Sequence, residues 1–449
     1  MYKKWQICQT DREKVEQIKS NYQINELLAT ILVNRNIVQK EDIRLFLNPT
    51  RQDFYDPFLI TDMEIAIQRI IKAINNKQKV TIYGDYDVDG ITSITVLKSF
   101  LKDLGLETSI YIPNRLEEGY GLNKKAIDKI AQDGCDLMIT VDCGISAIEE
   151  IEYANFLGIE TIVTDHHEPT NELPNAIAVI DNKRKDSKYP FRELAGVGVV
   201  FKVIQALGIK LGLEEETYLK YLDIVCIGTI SDIVPLVDEN RVIAKLGLML
   251  VKQTRNIGLK SIINSSGYTK IDSNTISFGV APRINACGRM GKAQEALELL
   301  LSTNINEVNI LTKKLNEHNR QRQETEKAIF ESAINKIQNE HLDKNKTIII
   351  GGENWHHGVI GIVSSKITEM YFKPSILLSF EEEGIGKGSG RSIPGFDLHD
   401  ALTNCSDTIE KFGGHSMAVG ITIKKENFKK FKEELESIAS KNHIDEIIP

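Results

Sequence analysis

Short runs of apolar residues recur through the middle of the chain and alternate with longer segments of helical periodicity. The apolar runs lie at residues 80–83, 109–112, 137–141, 161–164 and 176–180. Helical patterns lie between them, for example at residues 92–104 and 123–133. Strands without a polar face that alternate with helices are typical of a parallel sheet covered on both sides. We therefore expect an α/β fold, with its functional groups at the carboxyl ends of the strands.

Patterns on either side of this region predict further helices and a second α/β region. Apolar residues recur at helical spacing between Ile24 and Leu32, so short amphipathic helices are expected within residues 1–47. Residues 306–339 contain neither Gly nor Pro and carry many charges between their apolar positions, which predicts one long, partly exposed helix. After it, a strand at residues 347–350, glycine-rich turns and a closing helix at residues 426–441 predict a second α/β region.

These patterns predict four segments in the chain of 449 residues, a length that usually holds about two to four domains. We expect an N-terminal helical arm at residues 1–55 and a parallel-sheet domain at residues 56–304. A long connecting helix at residues 305–340 then joins this domain to a smaller α/β domain at residues 341–449.

The composition excludes several classes of protein. With 41% hydrophobic and 26% charged residues, the chain resembles an average globular protein rather than a disordered or fibrous one. Its net charge of −8 excludes a globally basic nucleic-acid coat, but not an enzyme with a local basic groove or with bound cations. The six cysteines are scattered without a C-x-x-C pair, which argues against a zinc cluster and a disulfide framework. Because no apolar leader or span is evident, we expect a cytoplasmic protein without membrane attachment.

Acidic and imidazole side chains follow three of the predicted strands and one later segment. They are Asp85, Asp87 and Asp89 after the first strand, Asp142 after the third, Asp165, His166 and His167 after the fourth, and Asp232 at the end of residues 225–232. A single acidic turn would most simply cap the helix that follows it. Several such turns at one sheet edge repel each other unless divalent cations bind there. Mostly carboxylate ligands favour Mn²⁺ or Mg²⁺ over a structural zinc, and two such ions can bridge a phosphate and activate a water.

These segments resemble the four ordered motifs of the DHH phosphoesterase superfamily, and further segments resemble its RecJ exonuclease branch. The superfamily motifs lie at residues 84–90, 141–144, 165–167 and 228–232. The branch motifs lie at residues 113–121, 195–198, 282–289, 355–363, 388–395 and 413–420, the last being similar to the glycine-histidine loop of the DHH-associated domain. The resemblance thus extends from the N-terminus to about Gly420.

The resemblance implies a single-strand-specific DNA exonuclease that removes 5′-mononucleotides in DNA recombination and repair, with two Mn²⁺ or Mg²⁺ ions. It also implies that residues 56–304 form the DHH catalytic domain and residues 341–449 the DHH-associated substrate-binding domain. Among the site residues, it assigns Asp87 and Asp142 to one ion, and Asp89, Asp142, His166 and Asp232 to the other. Asp85 and His167 are then catalytic partners of this centre, and His167 alternatively serves as an acid or orients a phosphate oxygen.

Positively charged groups in glycine-bearing loops are candidates for holding the 5′-phosphate, because a forked guanidinium suits that group. The candidates are Arg115, Arg283, Arg289 and Arg391, together with Ser389 and His415. Any one of these arginines could instead form a surface ion pair. The resemblance supports Arg115, Ser389 and Arg391 for the terminal phosphate, and Arg289 slightly better than Arg283.

Two other classes of function compete with this interpretation: another phosphoesterase of the same superfamily, and a protein without catalytic activity. A pyrophosphatase of the same superfamily would carry a histidine four residues before the first metal aspartate, where this chain has Tyr83. A short-oligonucleotide or cyclic-dinucleotide hydrolase would lack the loops at residues 113–121 and 282–289. A catalytically silent DNA-binding scaffold would lack some of the motif aspartates or histidines, and all of them are present.

The resemblance also implies partners and one difference from the family. Single-stranded DNA is the expected substrate, and a helicase or a single-strand-binding protein is an expected partner. Family members usually carry an oligonucleotide-binding β-barrel after the glycine-histidine loop. Because the sequence ends at Pro449, we expect this barrel to be missing here or the sequence to be a shortened form.

Overall fold

The computed structural model describes residues 7–381 and 384–441, which fall into two compact units. The first unit is Cys8–Asn319, and the second begins at Arg320. The long helix α15 (Ile305–Asn339) runs through the boundary between them. The four predicted segments are a finer division than these two units, and their boundaries stay predictions.

The first unit contains fourteen further helices within its described residues, and one parallel sheet. The helices are α1 (Arg12–Tyr22), α2 (Glu26–Asn34), α3 (Lys40–Leu47), α4 (Met63–Asn75), α5 (Val88–Asp103), α6 (Lys124–Gln132), α7 (Ile148–Phe156), α8 (Gly196–Lys210), α9 (Glu216–Leu219), α10 (Leu222–Ser231), α11 (Asp238–Val251), α12 (Ile257–Ser265), α13 (Ala281–Arg289) and α14 (Ala293–Leu301). The strands are β1 (Val80–Gly84), β2 (Thr108–Tyr111), β3 (Leu137–Val141), β4 (Glu160–Thr164) and β5 (Ala178–Ile180).

The order of the strands in this sheet is β2-β1-β3-β4-β5, and every pair is parallel. Strands β1 and β3 are neighbours, and the strand order reverses between them. In open parallel sheets, ligands bind at such a reversal, beside the carboxyl ends of the strands. The chain after β1 and the chain after β3 are therefore the places where a site is expected.

The predicted fold class is confirmed, and the predicted strands of the first sheet lie within two residues of the observed ones. Helix α5 begins at Val88, earlier than the predicted residue 92, because the Asp87 side chain accepts a hydrogen bond from Gly90 N (3.0 Å) and so caps the helix. As a result, Asp89 lies in the first turn of α5. The segment that ends at Asp232 is helix α10, and its end lies near the end of β4, since Asp232 Oδ2 is 3.7 Å from His166 Nε2.

Helices α1 to α3 confirm the predicted N-terminal helical region and pack around a small core of their own. Its buried residues include Val15, Ile18 and Leu32. Leu27, by contrast, is 70% exposed although it shares the helical periodicity of α2. Each of these short helices buries only a narrow stripe of its surface. Some apolar residues of the helical pattern therefore remain exposed.

The second unit contains a mixed sheet and three further helices within its described residues. The strands are β6 (Ile348–Glu353), β7 (Ser375–Phe380), β8 (Ile385–Arg391), β9 (Lys411–His415) and β10 (Ala418–Lys424), and the helices are α16 (His357–Tyr371), α17 (Leu398–Thr403) and α18 (Phe428–Lys441). The strand order is β6-β7-β8-β10-β9; β6 and β7 are parallel and the other pairs are antiparallel. This is the smaller α/β region that the sequence predicts.

Two further predictions concern the cysteines and the membrane. All six cysteines lie in the described residues and all are free thiols, as their scattered spacing indicates. Within the same residues, every helix is too short or too polar to cross a lipid bilayer.

Short one-turn 3₁₀ helices connect several of these elements and lie at Arg51–Asp53, Pro57–Leu59, Leu342–Lys344, Ser406–Thr408 and Lys425–Asn427.

A buried ion pair holds the segment that contains the first two of these 3₁₀ helices against α8 and α11. Lys202 donates to Glu239 (2.9 Å), and both side chains are fully buried. Tyr55 N also donates to Glu239 (3.0 Å), and so does the hydroxyl of Tyr189. Because this buried pair is surrounded by further hydrogen bonds, the segment is fixed to the domain.

We expect Glu239→Gln to lower the free energy of unfolding by about 3–5 kcal/mol, because it leaves the Lys202 ammonium buried beside a neutral group. Urea denaturation would measure this. The control is Glu64→Gln, which breaks the half-exposed Glu64–Lys210 pair (2.6 Å) and should cost less than about 1 kcal/mol. Equal losses in the two variants would contradict the proposed role of the buried pair.

Candidate metal centre and phosphate-binding residues

Three strand ends and one helix end deliver the predicted site residues to one point at the edge of the first sheet. Asp85 directly follows β1, Asp142 follows β3, and Asp165 with His166 follows β4. Asp232 is the residue that ends α10. Because β1, β3 and β4 are adjacent and parallel, their carboxyl ends meet at the same edge.

His166 lies among three of the carboxylates. Its Nε2 is 3.2 Å from Asp142 Oδ1, 3.7 Å from Asp232 Oδ2 and 3.8 Å from Asp89 Oδ2. Within each of three overlapping groups, the candidate ligand atoms lie within 4.8 Å of one another. The groups are Asp85, Asp87 and Asp142; Asp89, His166 and Asp232; and Asp142, His166 and His167. The structure thus brings together all seven residues that the sequence predicts for metal binding and catalysis.

Burial and mutual repulsion raise the pKa values of these carboxyl groups. Burial, followed by the charge of Asp232, raises the pKa of Asp89 to about 7. Burial, followed by the charge of Asp87, raises the pKa of Asp232 to about 7. The same two causes raise the pKa of Asp85. For Asp142, burial comes first and the charge of Asp89 next, and its pKa lies well above the usual value. A cation at this point would reverse each of these shifts.

The donor set fits a divalent cation. Asp85 Oδ1, Asp142 Oδ1 and His166 Nδ1 are buried without a hydrogen bond to any part of the chain that the structure describes. Buried polar atoms rarely stay unpaired in proteins. Carboxylate oxygens with one or two imidazoles are the ligands that suit Mn²⁺ or Mg²⁺.

The start of helix α8 fixes the position of Asp89. Gly196 N donates to Asp89 Oδ2 (2.6 Å) and Val197 N donates to Asp89 Oδ1 (2.9 Å). The first N–H groups of a helix have no partner in the helix and favour a negative charge. A methyl group on Gly196 would lie 2.6 Å from Asp142 Oδ1, so glycine is required for this approach.

Asp142 itself has an unusual backbone. Its φ of 58° is in the left-handed region, which few residues other than glycine adopt. Its N–H donates to Thr164 O (3.0 Å) and so continues the pairing of β3 with β4 by one residue. Backbone strain of this kind is often found at functional sites.

His167 is held by the aspartate of its own motif. Asp165 Oδ1 lies 2.6 Å from His167 Nδ1 and accepts the backbone N–H of His166 (2.7 Å), while Oδ2 accepts that of Ile145 (2.9 Å). Burial lowers the pKa of His167, but the bond to Asp165 outweighs it and raises the pKa to about 9. The imidazole is still 45% exposed, with the Tyr120 hydroxyl 3.4 Å from its ring nitrogens.

Arg115 and Arg289 lie near the candidate metal centre, and the charges of both favour the ionised form of Tyr86. The Arg115 guanidinium lies over the Tyr86 ring, 5.0 Å from its centroid, and both residues line a cavity of about 190 Å³. Burial, followed by Asp85, raises the pKa of Tyr86 to about 12, while the charges of Arg115 and Arg289 oppose that rise. Gly288 of α13 lies against Tyr86 O, where a methyl group would be 2.4 Å away. These two arginines therefore belong to the first unit's site.

Arg283 has a different environment. Its guanidinium donates to Asn316 Oδ1 (2.7 Å), Gly279 O (2.5 Å) and Ser265 O (3.4 Å). The expectation that all four arginines lie in loops is also wrong, since Arg283 and Arg289 are in α13 and Arg391 ends β8. Gly288, the glycine of segment 282–289, is part of helix α13 and not of a turn. It lets this helix approach Tyr86 closely.

In the second unit, the register of the sheet places the remaining candidates in one row. Arg391 of β8 pairs with Ala418 of β10, and Ala418 pairs with His415 of β9. Directly paired residues project from the same face, and so does Ser389, two residues before Arg391. Arg391 Nη1 donates to Ser389 Oγ (2.9 Å). On Gly361 of α16 a methyl group would lie 3.0 Å from Ser389 Oγ, so α16 packs closely against this pair.

Comparison with known proteins identifies the family. The "DHH family, N-terminal domain" matches residues 79–229 and the "DHHA1 domain" matches residues 344–441. The "Single-stranded-DNA-specific exonuclease RecJ" of Bacillus subtilis (strain 168) is 42% identical over 447 residues, which are 99% of this chain and 56% of that protein. The protein of that name from Haemophilus influenzae is 34% identical over 404 residues, 86% of this chain and 70% of that protein. The chain belongs to the RecJ family.

A solved structure of a RecJ protein has the same fold. The crystal structure of RecJ in complex with Mn²⁺ from Thermus thermophilus superposes with a TM-score of 0.84 and 29% identity, over 96% of this chain and 61% of that one. The same protein in complex with Mg²⁺ gives a TM-score of 0.77. This chain thus spans little more than half the length of the Bacillus subtilis relative and about three fifths of the Thermus chain.

Some residues at this RecJ-family site were not assigned a role from the sequence. Asp165 is part of a recognised motif, but its role in holding His167 depends on the turn after β4. Asn285 Oδ1 accepts Val88 N (3.3 Å) and so connects α13 to the start of α5, across 197 residues of sequence. The Asn of the Arg-Ile-Asn sequence was the available signal for that contact. Of the aromatic residues in or next to the motif segments, Trp355 and Phe396 are buried, whereas Tyr120 beside His167 is 56% exposed.

We expect Gly196→Ala to weaken Mn²⁺ binding strongly, because its methyl group would push against the Asp142 carboxylate. Gly198→Ala is the matched control two residues later, where the nearest contact of the new methyl group is Leu194 at 3.4 Å. Calorimetric titration with Mn²⁺ would measure both affinities. Equal affinities for the two variants would show that the approach of α8 does not shape the centre.

Proposed function

We propose that this chain is a single-stranded-DNA-specific 5′-to-3′ exonuclease that hydrolyses phosphodiester bonds and releases 5′-mononucleotides with two bound divalent cations. The observation that carries this proposal is the convergence of five aspartates and two histidines at the strand reversal between β1 and β3. The names of the RecJ relatives supply the substrate, because the geometry alone fits any phosphoester. Work in DNA recombination and repair is part of the same proposal.

The ligands divide into two sets. Asp87 and Asp142 would hold one cation, with Asp85 close to both as a catalytic partner. Asp89, His166 and Asp232, together with Asp142, would hold the other. Asp142 would bridge the two, since its carboxylate lies near both sets. When bound, Mn²⁺ or Mg²⁺ supplies polarisation of a phosphoryl oxygen and a water of lowered pKa.

His167 would handle a proton or orient an oxygen of the phosphate. Its Nδ1 is bonded to Asp165, so the ring has a fixed orientation and its other nitrogen remains on the exposed side, near Tyr120. An imidazole held this way can donate a hydrogen bond to a phosphate oxygen or a proton to the leaving oxygen.

Phosphate binding would use fixed guanidinium groups. Arg115 and Arg289 lie beside the metal centre, and Arg391 with Ser389 and His415 forms the row in the second unit. The family resemblance assigns Arg115, Ser389 and Arg391 to the terminal phosphate. Arg283 is left out of this set, since its guanidinium is bonded to protein acceptors.

The competing pyrophosphatase function is disfavoured by Tyr83. The ring is buried and stacks on Tyr111 with centroids 5.2 Å apart, and its hydroxyl donates to Gly121 O (3.0 Å). The position where a pyrophosphatase has a metal-binding histidine is therefore part of the packing here.

A DNA substrate would place the enzyme in the cytoplasm, and a helicase or single-strand-binding partner stays a prediction.

Digestion of end-labelled strands tests the proposal. With Mn²⁺ or Mg²⁺, 5′-phosphorylated single-stranded DNA should yield mononucleotides from its 5′ end, whereas duplex DNA should resist. RNA of the same sequence and inorganic pyrophosphate serve as the alternative substrates. Faster hydrolysis of either alternative than of DNA would overturn the proposed substrate.

We expect Asp142→Ala to reduce turnover more than about 100-fold, because loss of the bridging carboxylate removes several kcal/mol of transition-state stabilisation. Initial rates on labelled single strands would measure this. The variant should unfold in EDTA at no lower temperature than the wild type, since one repelling charge is gone, and this confirms that it is folded. A variant that kept more than about a hundredth of the activity would rule out the bridging role.

Arg391→Ala should slow the cutting of strands with a 5′-phosphate more than strands with a 5′-hydroxyl, because the guanidinium is proposed to bind the terminal phosphate. The measurement is kcat/KM on the two strands. Lys387→Ala is the control, since it removes a cation from the same strand four residues earlier, away from the pairing of Arg391 with Ala418. An equal loss on both strands would make Arg391 a general backbone contact.

A further inference from the structure

An exposed aromatic side chain lies on an unusual turn next to helix α13. Residues Thr275–Val280 form a π-helical turn that leads directly into α13. Phe278 is on this turn and is 67% exposed. Turns of this kind are rare and are frequently found at functional sites.

A second ring lies beside it. Tyr268 is 41% exposed and packs across the backbone of Gly279, the residue after Phe278. A methyl group on Gly279 would be 3.0 Å from Tyr268 Cδ2, so the glycine makes room for the ring. Two aromatic side chains thus border the same short stretch of backbone.

The same stretch carries a positive charge without an acidic partner. Arg283 donates to the neutral acceptors Asn316 Oδ1, Gly279 O and Ser265 O. Among the residues that the structure describes, no carboxylate lies within ion-pair distance of its guanidinium, and nearby Asp272 is paired with Lys270 (3.3 Å). These hydrogen bonds hold the guanidinium in place, so Arg283 acts here through its charge, which no carboxylate balances and which makes this surface locally positive.

Helix α13 connects this surface to the metal centre. Its Asn285 bonds to Val88 N, and its Gly288 lies against Tyr86 O, so the far half of the helix contacts the loop of Asp85 and Asp87. At 1.5 Å per residue, Phe278 lies about 10 Å along the axis from Asn285. A strand bound at the centre could reach the aromatic surface within a few nucleotides.

We propose that Phe278 and Tyr268, with Arg283 beside them, form a stacking platform for bases of the single strand that extends away from the metal centre. This inference rests on the proposed function and names a contact for the part of the strand that is not being cut. Base stacking on aromatic rings tolerates any sequence, because every base has a flat π face. Stacked bases of a duplex cannot make this contact, so the platform favours single strands.

The surroundings favour a nucleic acid over a protein as the occupant. The exposed residues that flank the two rings in the sequence are polar and include Thr269 and Asn274. A docking surface for a protein would need a wider apolar patch than two rings provide. Isolated rings beside a cation are the usual arrangement in single-strand-binding channels.

Binding of a strand that cannot be cut tests the platform apart from hydrolysis. A fluorescent phosphorothioate oligothymidylate of about 12 nucleotides, with Mg²⁺ present because this cation coordinates sulfur poorly, should bind Phe278→Ala about tenfold more weakly than wild type. Phe278→Trp should retain the affinity, since it keeps a ring. The matched control is Phe156→Ala, which removes a ring that is 83% exposed on α7 and should leave the affinity unchanged.

Cleavage gives a second readout. The ratio of kcat/KM on the 12-mer to that on a dinucleotide should fall about tenfold in Phe278→Ala, and abasic sites in the middle of the strand should cause the same fall in wild type. In Phe278→Ala, the abasic strand should cause no additional loss.

The outcomes separate the two proposals. If wild type binds the strand with the expected difference between variants but cuts no DNA, the platform stands and the exonuclease function fails. If wild type cuts DNA but Phe278→Ala binds like Phe156→Ala, the platform is wrong. Unchanged DNA binding together with a change in oligomeric state would assign Phe278 to a protein contact instead.

Discussion

The mutual repulsion of the carboxylates at one edge of the first sheet is the constraint on which the site depends. Burial already disfavours their charged forms, and close neighbours raise the cost further. The fold offsets part of this cost with backbone N–H groups, two of them from the start of α8 to Asp89. Asp165 is satisfied in the same way and by His167. The part that is not offset would give the centre its affinity for divalent cations.

This arrangement requires helices to approach the strand ends more closely than side chains normally permit. At Gly196, Gly228 and Gly288 a methyl group would collide with Asp142, with Thr92 or with the backbone of Tyr86. These glycines belong to segments that the sequence marks as motifs, and each has helical rather than turn geometry. Their role is therefore to let α8, α10 and α13 close around the carboxylates. The fold and the metal centre are specified by the same few positions.

The sequence predicts the sheet and the convergence of the acidic residues well, because both follow from local patterns. Apolar runs define the strands, and parallel strands must end at a common edge. It predicts the environment of the arginines less well. The partners of Arg283 include Ser265 and Asn316, which are 18 and 33 residues away and carry no local signal. The early start of α5 depends on one hydrogen bond, which Gly90 N donates to the Asp87 side chain and which a propensity argument does not detect.

The proposed DNA substrate requires this acidic chain to separate its charges in space. In the first unit, the metal-centre carboxylates are buried at the sheet edge, where bound cations would neutralise them. Arg115 and Arg289 lie beside that edge, and Arg283 retains a charge that no described carboxylate balances. A strand that enters such a site meets positive groups although the chain as a whole is negative. Net charge is then a poor guide to substrate here, because the local arrangement of buried acids and nearby guanidinium groups decides what can bind.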